Sequence, residues 1–286
     1  MALTYSVIIP YHRTPSVTCV ALHALGRFCT GTVEVLLVHN ETELPPSDQQ
    51  LFATFPAVRV LSAPSHLTGT AALMAAIDVG LAAATRDLVA IIHGDTIVLK
   101  PGWDEEVFGY MEQEAVDALG TLAQEANPCR SWHQRIGDIW REIRHKRHPS
   151  KKDSAPLMLH FLLTKKSVLT KLDYRFQEHG PIDIRHYTRK GCSISLLSLQ
   201  EMSALMWHIP NTTRLLRGEL NDVKLGQELW NRWRTFWSDP YVLEHFSDLS
   251  EPMETAFRVI AAQSSGTTVP VAGAQPIANS SPAEGA

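Results

Sequence analysis

At 286 residues, 44% of them hydrophobic, the chain can bury a full core; it suits one large α/β domain with additions, or at most two domains. Its net charge of −4 argues against a dedicated nucleic-acid binder, which is normally basic overall. No apolar run approaches the roughly 20 residues that cross a bilayer. The opening MALTYSVIIPYHR has neither a basic leader nor a cleavage site, and Cys19, Cys29, Cys129 and Cys192 lack metal or redox spacing, so a cytoplasmic chain with free thiols is expected.

Residues 5–10, YSVIIP, form a continuous apolar run and predict a first strand, followed by a loop over 11–15. Ser16 is placed to cap a helix to Phe28, with Val17, Val20, Ala21, Ala24, Leu25 and Phe28 at helical spacing. Residues 34–38, EVLLV, predict a second strand, followed by His39, Asn40 and a polar, proline-bearing loop; 58–61 predict a third. The alanine- and leucine-rich 70–84 read as a helix buried on most sides, with Asp78 as its one charge. Leu88–Ile92 is again short, apolar and rich in branched residues, as in a strand buried on both faces. This strand–helix rhythm over the first hundred residues predicts a doubly wound sheet with helices on both faces.

Residues 103–119 predict an amphipathic helix with three acids, Asp104, Glu105 and Glu106, in its first turn, where they suit the helix dipole. The stretch 130–152 holds eight Lys or Arg against two acids, together with Trp132 and Trp140. It reads as a solvated basic face or as a contact with an anionic acceptor or membrane surface. Further strands are expected at 157–163 and 193–207, and helices at 219–237 and 241–262. The tryptophan stripe of 219–237 reads as core, as an acceptor-side cover or as a homodimer contact. Residues 263–286, rich in Ser, Gly, Pro and Ala, read as a disordered tail. The expected organisation is a core over 1–215, a helical addition over 216–262 and the tail.

The chemistry concentrates where Leu88–Ile92 ends in His93-Gly94-Asp95. Ligands of open α/β sheets gather outside the carboxyl ends of the strands. If the chain stays extended past Ile92, His93 and Asp95 point to one side and Gly94 lets a ligand approach the backbone. A strand-end turn with a capping Asp is the plainer alternative.

Several motifs together resemble the family 2 glycosyltransferases of the GT-A fold. SVIIPYHR is similar to that family's opening strand and nucleotide loop, and EVLLVHNET to its second strand, with His39 in place of an Asp and Asn40 matching the next position. GTAALMAAIDVGLAAATRDLVAIIHGDT resembles the helix–strand unit leading to the Asp-x-Asp metal site, in the subset with His-x-Asp; LKPGW resembles the turn beyond that site. FQEHGPIDIRHYTRKGCSI is similar to the acidic segment that carries the catalytic base, without its doublet, and ALMWHIPNTTRL to a segment with a histidine near the metal.

The resemblance implies an inverting transferase that moves a sugar from a nucleotide-diphosphate donor to a hydroxyl of a glycan or lipid-linked acceptor. Asp95, with His93 and His208, would hold Mn²⁺ or Mg²⁺, an imidazole favouring Mn²⁺. Asp183, or Glu178 in second place, would be the base. Pro10, Tyr11, His39, Asn40, Asp78 and Gly94 would contact the nucleotide sugar. The departures from the family pattern leave a second reading, a non-catalytic sugar-nucleotide binder or partner subunit. A nucleotidyltransferase is disfavoured, because 11–15 lacks a glycine-rich basic loop.

Overall fold

The computed structural model of the protein describes residues 2–122, 156–217 and 222–247. The readings on 130–152, on 248–262 and on the 263–286 tail lie outside the described residues.

The first half runs β1 (Thr4–Tyr11), α1 (Pro15–Phe28), β2 (Thr32–His39), α2 (Pro46–Ala53), β3 (Val58–Ser62), α3 (Gly69–Ala83), β4 (Leu88–Ile92), β5 (Thr96–Val98), α4 (Trp103–Gln113) and β6 (Ala118–Thr121). The second runs β7 (Phe161–Lys165), α5 (Lys166–Lys171), α6 (Phe176–His179), α7 (Ile184–Arg189), β8 (Ile194–Leu197), α8 (Leu199–Leu205), β9 (Met206–His208), α9 (Thr212–Leu216), α10 (Val223–Trp237) and α11 (Pro240–Phe246). The main sheet has the order β3-β2-β1-β4-β7-β6-β8, and β5 pairs with β9 in a small second sheet. β1 to β4 are parallel, and β7 runs antiparallel between β4 and β6. The result is the mixed, doubly wound sheet expected.

Two-residue periodicity divides the core between the sheet's faces. Val7, Ile9, Val35, Leu37, Ala90, Ile92, Phe161 and Leu163 join one buried cluster with α1, α4 and the C-terminal helices. Ile8, Leu36, Val38, Val89, Ile91 and Leu162 join the other, with α3 and Leu169, Phe176 and Tyr187. Burying each such aliphatic side chain stabilises by about 1.5–3 kcal/mol. On the second face α3 lies so close to β1 that a Cβ on Gly80 would stand 2.5 Å from Ile8 Cγ2.

Several boundaries differ from expectation, each for a local reason. α1 begins at Pro15 with no side-chain cap, so Ser16 is inside the helix rather than before it. The loop after β2 contains α2, which Pro46 starts with its preset φ. The 103–119 helix stops at Gln113, where Ala115 turns with φ 50°, and Ala118–Thr121 joins the sheet instead. The strand expected at 157–163 begins only at Phe161. In 193–207 a capping box between Ser198 and Glu201 starts α8 and splits the expected strand into β8 and β9. Of the 219–237 stripe, Trp233 and Trp237 are buried together with Leu229 and Phe236, so these tryptophans are spent inside the fold.

Candidate active site

β4 delivers the chain to the sheet's carboxyl edge, and a small set of backbone bonds holds the turn at its end. Thr96 N–H donates to the His93 carbonyl at 3.0 Å, and His93 N–H to the His160 carbonyl at 3.3 Å. Thr96 Oγ1 donates to that same carbonyl at 3.1 Å. β5 then pairs with β9 so that Thr96 faces His208 across the ladder. The last residue of β9 is thereby set beside the turn that carries Asp95. Gly94 lies on the cavity wall, and a Cβ there would meet Thr18 Oγ1 of α1 at 2.8 Å. The glycine is needed for helix packing as well as for access.

The outcome is a convergence of donors. His93, Asp95 and His208 each place a ligand atom within 4.8 Å of the others. His208 Nε2 stands 3.6 Å from Asp95 Oδ1, and Thr213 Oγ1 donates to Asp95 Oδ2 at 3.0 Å. His160 stacks on His208 with ring centroids 4.1 Å apart and planes 2° from parallel. His93 lies edge-on to both rings, at 6.0 and 6.3 Å. Among the described residues, three buried atoms here find no hydrogen-bond partner: His93 Nε2, Asp95 Oδ1 and His160 Nε2. Each would cost about 1–3 kcal/mol if nothing ever satisfied it, so their clustering in one place marks a ligand site.

Electrostatics agree. Burial pushes the His93 imidazole down to about 4, reinforced by His208 and opposed by the Asp95 carboxylate. Burial, then His208 and His93, hold His160 well below the usual histidine range. Both rings are therefore neutral near pH 7, the form in which imidazole binds metal. Two imidazoles and one carboxylate suit a divalent cation that accepts both nitrogen and oxygen donors. The residues present fit such an ion.

The cavity has a volume of about 480 Å³ and gathers most of the residues singled out in the sequence: Pro10, Tyr11, Asn40, His93, Gly94, Asp95 and His208. Tyr11 is buried, and its hydroxyl donates to Asp48 Oδ2; burial and that carboxylate raise its pKa. Asn40 Nδ2 donates to the Leu67 carbonyl at 3.1 Å. His39 lines a neighbouring open cleft of about 800 Å³, with Glu43, Gln49, Phe52 and Ser62. Burial lowers its pKa, with Glu41 opposing.

Three candidates stand apart from both spaces. Asp78 accepts the N–H groups of Phe176 and Gln177 at 2.8 and 2.9 Å, tying α3 to α6. Asp183 caps α7 by accepting His186 N–H at 2.8 Å, while its backbone pairs with Pro156. Glu178 is exposed, 3.7 Å from Arg175. Conversely, sequence reasoning passed over His12, His160, Thr213 and Arg214, which all line the cavity. Arg217 donates to His12 Nε2, bracing the loop after β1 against the end of α9. The available signals were a histidine inside the apolar run LMLHFLL and the hydroxyls and arginine just after His208.

Among solved structures, the mannosyltransferase PcManGT of Pyrobaculum calidifontis, in complex with GDP-Man and Mn²⁺, is similar over 94% of this chain and 77% of its own, at 16% identity and a TM-score of 0.53. TarS of S. aureus is similar over 90% of this chain and 50% of its own, at 14% identity and a TM-score of 0.47. At such identities the first likeness speaks to the fold. A comparison with curated proteins gave no match. Residues 6–171 match the family described as Glycosyl transferase family 2. That stretch is more than half of the sequence and includes the end of β4 with His93 and Asp95, and so the chain belongs to the family 2 glycosyltransferases.

Proposed function

We propose that this glycosyltransferase moves a sugar from a nucleotide-diphosphate donor to a hydroxyl of a glycan or lipid-linked acceptor, with inversion and with the help of a divalent cation. The observation that carries the reading is the convergence of His93, Asp95 and His208 in one cavity at the carboxyl end of β4. A cation held by these three residues would neutralise the charge that grows on the diphosphate as it leaves.

The rest of the work falls to the chain. Pro10, Tyr11 and Asn40 shape the wall at the ends of β1 and β2, where a base and ribose would rest; His39 borders the adjoining cleft. Arg214 is the one Lys or Arg among the described lining residues, and its guanidinium is suited to a phosphate oxygen. Thr213 orients the Asp95 carboxylate from α9. The acceptor oxygen attacks the anomeric carbon as the bond to the diphosphate breaks, and its proton passes to a base. Asp183 is our first candidate and Glu178 the second. Asp183 pairs with Pro156, at the start of the segment that lines the cavity at Met158 and His160.

No helix among the described residues is long and apolar enough to cross a membrane. For a lipid-linked acceptor, the basic stretch 130–152 is our candidate for contact with an anionic membrane surface.

The test is calorimetric titration with nucleotide sugars, Mn²⁺ present and absent, beside a turnover measurement. GDP-Man is the first donor to try because PcManGT was solved with it and Mn²⁺; uridine-diphosphate sugars are the second. Tight binding that requires Mn²⁺ and is lost in Asp95→Asn is expected. Donor binding indifferent to both Mn²⁺ and Asp95 would overturn the reading.

A further inference from the structure

The cation triad leaves one buried group unexplained. His160 is 3% exposed, and its Nε2 has no hydrogen-bond partner, yet it is not one of the three residues whose ligand atoms converge. Its backbone is pinned by the two bonds that its carbonyl accepts from His93 and Thr96. Its ring is pinned by the stack on His208. His160 lines the cavity, and a buried polar atom left without a partner calls for one.

The surroundings say what kind of partner. The lining includes the cation triad and Arg214, groups suited to phosphate. It also includes Met158, Leu159, Leu73 and Ala76, which are apolar. Leu159 and Ala76 belong to one buried cluster, with Leu73 packed against it. His160 joins the two kinds of lining, since it follows Met158 and Leu159 directly in the chain and its ring stacks on His208. A diphosphate belongs with the cationic groups, whereas a sugar ring has apolar C–H faces and hydroxyl edges. It matches an apolar wall ending in a neutral hydrogen-bonding group.

We propose that His160 marks the subsite for the transferred sugar, its ring nitrogen hydrogen-bonding a hydroxyl of that sugar while Met158 and Leu159 pack on the ring. The inference rests on the donor reading above and deepens it. It makes His160 a specificity residue, distinct in role from its stacked neighbour His208.

The experiment separates sugar from phosphate by using both as probes. Binding of GDP and of GDP-Man (or UDP and a UDP-sugar, whichever pair the parent protein prefers) is measured with Mn²⁺ for the parent and for His160→Phe. Phenylalanine keeps the stack and the volume but removes the nitrogen. Affinity for the nucleoside diphosphate should stay within about twofold, while affinity for the intact nucleotide sugar falls about fivefold to tenfold, as for one hydrogen bond. The advantage of the sugar nucleotide over the bare diphosphate should then shrink. His160→Asn, which restores a short hydrogen-bonding group, should recover part of it, and it serves as the second variant if phenylalanine impairs folding. Equal losses for both probes would place His160 on the phosphates, and no loss for either would leave it a packing residue; each overturns the proposal. If the parent binds neither diphosphate nor sugar nucleotide, the donor reading itself falls.

Discussion

Two buried aspartates, nine residues apart in sequence, carry the contrast between holding this fold together and using it. Asp104, in the first turn of α4, is fully buried and saturated. It accepts from Tyr5 Oη at 3.0 Å, from Thr30 N–H and Oγ1, and from Gly31 N–H at 2.8 Å. Those bonds tie α4 to the start of β1 and to the turn before β2. Asp95 is nearly as buried, at 4% exposure, but only its Oδ2 accepts a bond, from Thr213. Its Oδ1 has no hydrogen-bond partner and faces two histidines. A carboxylate satisfied on both oxygens is structural, whereas one left half-satisfied beside two imidazoles has an oxygen to offer a ligand, which we propose is a cation. Burial alone does not tell them apart; the accounting of hydrogen bonds does.

The sharpest way to break this comparison is to neutralise each carboxylate. Asp95→Asn should reduce transfer by roughly 10³-fold or more, since several kcal/mol of charge stabilisation go with the cation, while the melting temperature holds. Turnover and thermal unfolding on the same preparation check this, and a variant that transfers normally would make Asp95 as structural as Asp104.

Asp183 tests whether a carboxylate already used as a cap can also do chemistry. If it is the base, Asp183→Asn should slow transfer by about 10²–10⁴-fold with donor binding intact. Normal turnover there, with a severe loss in Glu178→Gln, would move the role to Glu178.

Asp104→Ala should reverse the Asp95 pattern. Stability should fall by about 3 kcal/mol or more, because several buried donors lose their acceptor at once, while the folded fraction binds nucleotide sugar with unchanged affinity. Denaturant unfolding paired with calorimetry separates the two effects.

The pH dependence of folding spreads its effect over several pH units instead of removing one group at once. His93 and His160 are held neutral in the folded protein but titrate near 6.5 when unfolded. Below 6.5 the unfolded chain binds more protons, so stability is complete above that value. It is lost as pH falls toward about 4, by up to about 1.4 kcal/mol per pH unit for each histidine. Denaturant midpoints at pH 7.0, 6.0 and 5.0 should fall in that order, and less steeply in His93→Asn. The smallest effect belongs to Asp78→Ala, which removes the acceptor for two N–H groups of α6. We expect a loss of about 1 kcal/mol in stability, and no change in nucleotide-sugar affinity if Asp78 only ties helices.

Much of this was legible in the residues. Tyr5, Val7 and Ile9 alternate with Ser6 and Ile8 in a run that only a strand buried on both faces would use. The helix signals of α1 and α3 come from 3.6-residue spacing within short windows. His93 and Asp95 could be tied to one ligand because they are two residues apart at a strand end. Such features depend on neighbours in sequence, so the first four strands, α1, α3 and the near half of the candidate site could be read from it, whereas α2 could not. The far half obeyed other constraints. His208 reaches Asp95 only because β9 pairs with β5, and His160 reaches His208 only because β7 returns antiparallel beside β4. Thr213 and Arg214 owe their places to where α9 is set down. Tertiary packing likewise sets Asp78 of α3 against the start of α6, while Asp95 keeps one oxygen without a hydrogen-bond partner among the described residues. No local pattern encodes these two outcomes, because a carboxylate's role depends on which donors the folded chain brings within about 3 Å of it, and those donors come from segments about a hundred residues away or more.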